Sequence, residues 1–151
     1  MSDAQVDPAD PHDLQRFIAA QAPVYPQVRA ELERGRKQSH WMWFIFPQLR
    51  ELGRSATARR YGIAARAEAE AYLAHPLLGV RLVECTTLLL AVETKSALEV
   101  LGPPDDLKFR SSMTLFAALS PTRPCFGAAL DRYFDGKPDP ATLALLDGRN
   151  R

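Results

Sequence analysis

Two polar clusters in this sequence carry residue types that could do chemistry. The first runs from Ser39 to Gln48 and sets His40, Trp41, Trp43, Phe44 and Phe46 close together. Read as a helix, it places positions 41, 44, 45 and 48 on one face. Trp41 then offers a flat surface beside the amide of Gln48, with His40 at the mouth. An aromatic plane beside a donor–acceptor amide suits a nucleobase or a similar ring, and such stacking is worth about 1–3 kcal/mol per base. The same rings also read as plain core, each contributing roughly 1.5–3 kcal/mol by burial.

The second cluster is Asp105, Asp106, Lys108, Arg110, Ser111, Ser112 and Thr114. Hydroxyls on an otherwise apolar helix must bond back to the preceding turn or to something facing them. If this helix packs against the aromatic one, Ser112 can hydrogen-bond a ligand while Lys108 or Arg54 meets its phosphate. The plainer alternative is two capping aspartates and self-satisfied hydroxyls. For general acid–base work the candidate carboxylates are Glu84, Glu93, Asp105 and Asp106. Glu84 lies near the inner face of the longest apolar helix, where a carboxylate needs a partner such as an arginine. An N-glycosidic hydrolase built on this site would use Glu84 or Asp106 to activate water.

Other chemistries find no support. There is no nucleophile elbow, no glycine-rich phosphate loop and no helix-turn-helix pattern. His12, His40 and His75 do not recur at metal-ligand spacings, so neither a metal nor a cofactor is implied. Cys85 and Cys125 lack a CxxC spacing and read as free, buried thiols. No apolar run reaches the ~18 residues of a membrane span, and the first residues do not resemble a signal peptide. A cytoplasmic location is the expectation.

Charge is unevenly distributed. From Arg34 to Arg66 there are eight basic residues against Glu51 alone, a local charge of +7 within a chain of net charge +1, leaving −6 elsewhere. Such an excess can attract an anionic small molecule, a nucleotide or, with weaker support, nucleic acid. Equally, these arginines can coat solvated helix faces or meet an acidic protein partner.

The elements that must position these residues are helical. With 151 residues, 46% hydrophobic and 25% charged, the chain is an ordinary single-domain sequence. Apolar spacing and cap residues predict short helices opening at Asp13, near Pro26, at Ser55, before Leu77, at Ser96, at Asp105 or Asp106, before Cys125 and at Asp139. The aromatic run is apolar on every side, and no other segment could pair with it as a strand. It is therefore expected to be a helix that ends or kinks before Pro47. The resulting expectation is all-α: one compact domain of about eight short helices in orthogonal-type packing over 12–147, with a disordered leader at 1–11 and a tail at 148–151.

The stretch Gly35-Arg-Lys-Gln-Ser-His-Trp-Met-Trp-Phe-Ile-Phe-Pro-Gln-Leu49 resembles the opening signature of a bacterial family catalogued as domain of unknown function 1810. The likeness continues through Tyr61-Gly-Ile63, Glu70-Ala-Tyr-Leu-Ala-His-Pro76, Asp106-Leu-Lys108, Ser111-Ser-Met-Thr-Leu-Phe116 and Gly136-Lys-Pro-Asp139. It implies an all-helical fold and brings no established activity. Some family members carry the label "calpastatin", which describes a long disordered inhibitor and suits a core-rich chain poorly. A fainter likeness, from Tyr72 to Asp106, is to NADAR domains, which act on ADP-ribose-linked guanine. Here the sequence departs at Ser39, where those domains have a carboxylate, and lacks their lysine among Phe44 to Gln48. Together these features suggest a domain that binds an anionic, nucleotide-like molecule or hydrolyses an N-glycosidic bond in one. The alternative is a protein-interaction module with a basic surface.

Overall fold

Local chemistry sets most helix boundaries in the computed structural model, which describes residues 7–149. Helix α1 (Gln15–Gln21) is capped by Asp10, whose carboxylate accepts the backbone N–H groups of Leu14 and Gln15 at 2.8 and 2.9 Å. Pro26 sits in the first turn of α2 (Tyr25–Arg34), where its missing N–H costs nothing. The helix stops at Gly35, whose φ of +70° is left-handed, and the next N–H turns back to the Glu31 carbonyl. Residues 7–11 of the expected leader form hydrogen-bonded turns; the first six lie outside the described residues.

The aromatic run corrects an expectation. Only α3 (Met42–Ile45) is helical; Phe46 has already left the helical region, at φ −122° and ψ 74°. Pro47 would clash with the carbonyl of Trp43 if the helix went on, so termination before it agrees with the sequence. The ten-residue helix from Ser39 to Gln48 does not form. Instead Leu49 makes an isolated parallel bridge to Ile63, and a single 3-10 turn spans Arg50–Leu52.

The rest follows caps and periodicity. Ser55 caps α4 (Ala56–Arg60), and α5 (Arg66–Ala74) meets α6 (Leu78–Leu90) at 83°. Ser96 and Glu99 form a reciprocal capping box on α7 (Ala97–Leu101). Helices α8 (Asp105–Leu119), α9 (Pro124–Phe134) and α10 (Pro140–Arg149) complete the chain. The described residues thus hold ten α-helices and no strand, an all-α fold. Helix α8 runs through the middle, against α5, α7, α9 and α10, while α6 packs on α2, α5 and α9. Their shared interior stacks Phe46 edge-on to Phe109 at 4.9 Å, Phe17 on Tyr72 at 4.9 Å and Phe116 beside Phe126 at 5.8 Å. Among the described residues no single helix is long and apolar enough to cross a membrane. Cys85 and Cys125 are free thiols, and burial pushes Cys85 up to about 12, out of the reactive range.

A buried carboxylate holds the segment that leads from α2 into the aromatic run. Glu31 is 0% exposed. It accepts the N–H groups of Gln38 and Ser39, the Ser39 hydroxyl, the Trp41 indole and the Gln27 amide, at 2.6 to 3.0 Å. Burial alone would raise its pKa; the bonds from Ser39, Gln38 and Trp41 outweigh that and hold it at about 2. A depressed folded value means that the stabilisation is complete above the unfolded value of 4.5 and is lost as pH falls through about 2. Glu31→Gln should cost roughly 2–3 kcal/mol at neutral pH, because an amide cannot accept at both ends. The difference from the parent should shrink between pH 4.5 and 2, as urea denaturation across that range will measure.

Candidate functional site

A second buried carboxylate fixes the far side of the aromatic run. Glu68 pairs with Arg16 at 2.6 Å and accepts the Ala64 N–H. The Arg16 guanidinium also donates to the Arg60 and Gly62 carbonyls, at 2.8 and 3.1 Å. These bonds hold the loop from Arg60 to Ala64. That loop in turn grips the chain after Pro47: Arg50 N–H donates to the Ile63 carbonyl and Ile63 N–H to the Gln48 carbonyl, both at 2.9 Å. Gly62 is required here, because a Cβ would lie 2.5 Å from the Arg50 Cα.

Between this anchored strip and α8 lies an open hollow of about 570 Å³. One wall carries Gln48, Leu52, Arg54 and Ser55; the other is a stripe of α8 and its cap, Pro104, Leu107, Lys108 and Ser111. Asp139 and Ala141 close the end. The apolar part includes Leu107, 58% exposed and without a protein cover. The positive part is Arg54, exposed and with no ion-pair partner among the described residues, and Lys108, whose ammonium is 3.8 Å from Asp105. Asp105 has a closer partner, Lys37 at 2.9 Å, so its charge is largely spent elsewhere. Lys108 also lies 5.4 Å from the Trp43 ring centre, within cation–π reach. Asp139 is oriented on one side only: Ser111, the Thr142 hydroxyl and the Thr142 N–H all donate to its Oδ2.

Of the residues singled out from the sequence, Gln48, Arg54, Lys108 and Ser111 come together here. The others do not line the hollow. Trp41 is 1% exposed, and its indole N–H is bonded to Glu31 at 2.9 Å. It is a core residue, and the stacking platform expected of it is absent, because residue 41 precedes α3 and residue 48 follows it on extended chain. His40 is exposed on the surface. Glu84 has the arginine partner expected of it, Arg29 at 3.7 Å, and also accepts from the Tyr25 hydroxyl, at the contact of α2 with α6. Asp106 is two residues from Lys108 and so about 200° around α8 from it. Neither carboxylate lines the hollow; the carboxylate that does is Asp139. Asp139 was legible only as the cap of the last helix, a role it also performs. Ser112 is 0% exposed, just inside the Lys108–Ser111 stripe.

The basic segment does not form one patch. Lys37 pairs with Asp105, Arg66 with Glu70 at 3.6 Å, and Arg59 donates to the Gly53 carbonyl at 3.4 Å. Arg50 and Arg60 line a separate concavity with His12 and Arg16. Among the described residues no group of three or more His, Cys, Asp or Glu could hold a metal ion.

The architecture defines the class first: a small all-helical domain with one amphiphilic hollow beside its central helix. The chain belongs to the family described as "Protein of unknown function (DUF1810)", whose model matches residues 11–146. It is similar to the crystal structure of the conserved hypothetical protein Rv1873 from Mycobacterium tuberculosis, at 56% identity over 91% of this chain and 99% of that one, with a TM-score of 0.90. No protein of curated function matches.

Because Trp41 belongs to the Glu31 cluster and not to the hollow, Trp41→Phe should destabilise the fold by about 1.5–3 kcal/mol through loss of the indole–carboxylate bond. Chemical denaturation measures that cost, and any ligand response of the folded variant should match the parent.

Proposed function

We propose that the chain binds an anionic, nucleotide-like small molecule in the hollow between Gln48–Ala58 and α8. The observation that carries this reading is the pairing of two underused cations, Arg54 and Lys108, with an uncovered apolar wall at Leu52, Pro104 and Leu107. A phosphate suits the cations, since charge-assisted bonds to phosphoryl oxygens are the strong ones. A flat apolar body suits the wall, and the Gln48 amide supplies a donor and an acceptor at its edge. Pockets of this size and mixed lining are typical of small-molecule sites.

A hydrolytic version of the same site would use Asp139 in place of Glu84 or Asp106. Its Oδ2 is held by three donors, which leaves Oδ1 to take a proton from a water whose oxygen bonds to the anomeric carbon while the C–N bond breaks and the base departs with its electron pair. This reading rests on one oriented carboxylate at the end of the hollow.

Saturable stabilisation by ADP-ribose, ADP or NAD in a thermal-shift titration is the expected result, since a ligand that binds only the folded state raises its melting temperature. Arg54→Ala and Lys108→Ala should each weaken the response about tenfold, the effect of one charge-assisted bond. Added salt should weaken it further. If none of these compounds shifts a well-folded parent, the protein-interaction module becomes the better account.

A further inference from the structure

A second concavity, of about 620 Å³, shares no residue with the hollow beside α8. Its walls carry His12, Asp13, Arg16, Arg50, Arg60 and Glu68. Backbone pairing brings the two outer arginines to it. Arg50 follows Leu49 in the bridge to Ile63, and its N–H donates to the Ile63 carbonyl at 2.9 Å. Arg60 ends α4 just before Gly62, whose lack of a side chain lets this loop lie against the Arg50 backbone.

Arg16 consumes the acceptors of the same walls. All five of its N–H groups are bonded, to the carbonyls of His12, Asp13, Arg60 and Gly62 and to Glu68 Oε2, at 2.6 to 3.1 Å. Glu68 Oε1 accepts the Ala64 N–H at 3.1 Å, so both oxygens of that carboxylate are occupied. One largely buried guanidinium thereby cancels the charge of Glu68 and covers four carbonyls that would otherwise repel an anion. Arg50 and Arg60 are left over. Both are exposed, and among the described residues neither side chain has a hydrogen bond or an ion pair; Arg60 lies over the Tyr61 ring, at 5.6 Å. The charge that opposes them is Asp13, an exposed carboxylate on the same walls.

We infer that this concavity is a second anion site, in which the Arg50 and Arg60 guanidiniums receive the oxygens of one phosphoryl group. Two guanidiniums suit a phosphoryl group better than a carboxylate. A single guanidinium fork fills both oxygens of a carboxylate, whereas a phosphoryl group offers three oxygens and about −1.5 to −2 charges. The lining is mostly polar, with Pro11 and Ala64 as its apolar members, so the ligand class is a hydrophilic phosphorylated small molecule such as a sugar phosphate. The flat apolar body proposed for the other hollow has no counterpart here, and this site stands independently of that reading.

Calorimetric titration of glucose 6-phosphate into the full chain, with glucose as the phosphate-free control, tests this. Saturable binding of the phosphate and none of glucose is the expected result. Arg50→Ala and Arg60→Ala should each weaken it about tenfold, and both should melt close to the parent temperature because neither side chain is bonded to the described residues. Arg54→Ala, which alters the other hollow, should bind the phosphate like the parent. Asp13→Asn should bind it about two- to threefold more tightly, since it removes the opposing charge. The φ of +50° at Asp13 is one that asparagine also adopts, so the loop is kept. If the parent shows no saturable binding, or if Arg50→Ala and Arg60→Ala bind like the parent, the site is refuted. Loss of binding in Arg54→Ala with Arg50→Ala unaffected would move the phosphate to the hollow beside α8 and refute it equally.

Discussion

Five donors converge on the Glu31 carboxylate, and the position of the aromatic run depends on that convergence. A carboxylate with no exposure is tolerable only when its charge is met on every side. The donors come from Gln27 on its own helix, from Gln38 and Ser39 in the connecting loop, and from Trp41 at the head of α3. Releasing any one of them leaves charge uncompensated, so the loop from Gly35 to Trp41 is effectively clamped. The largest side chain of the core is thereby fixed by polar bonding as well as by packing.

The same device recurs beyond Pro47. Arg16 and Glu68 form a buried pair whose remaining donors and acceptors are spent on loop backbone, which satisfies the condition under which burying an ion pair becomes tolerable. Through the Leu49–Ile63 bridge this loop sets where Gln48 and Arg50 leave the core. The aromatic run is thus held at both ends by carboxylates and in the middle by the contact of Phe46 with Phe109. One wall of the hollow is a product of that anchoring; the other belongs to α8, which sits against four other helices. Two rigid walls can keep cations and an apolar surface at a fixed separation without help from a ligand, the arrangement that preorganised binding requires.

Much of this was legible in the residues. Gly35, Ser55, Ser96 and Pro47 mark helix boundaries through steric and capping effects that act within a few residues, and the structure follows them. Gln48, Arg54 and Lys108, expected together from the sequence, do line one hollow. The register of the aromatic run was not legible. A segment apolar on all sides has no periodicity to reveal which ring faces where, and the choice of Trp41 over Trp43 depended on a helix that ends at Ile45. The controlling residue, Glu31, looks like any acid in the last turns of α2. Its burial arises only when the chain folds back over it. Glu84 and Asp106 lie away from the hollow for a similar reason: nearness to an apolar face is local, whereas membership of a hollow depends on which helices flank it.

The two carboxylate clusters and the surroundings of α8 treat polar groups in opposite ways. At Glu31 and Glu68, donors and acceptors balance, and the result is rigidity. Around α8 they do not balance: the Trp43 indole and the Ser112 hydroxyl are buried without acceptors. A chain able to satisfy five donors on one carboxylate has the means to satisfy two more, for instance by turning the Ser112 hydroxyl to the carbonyl that its neighbours' geometry would offer. Asp106 Oδ1, about 200° around α8 from Lys108, is also buried without a partner, so the imbalance follows α8 on two of its faces and not the hollow alone.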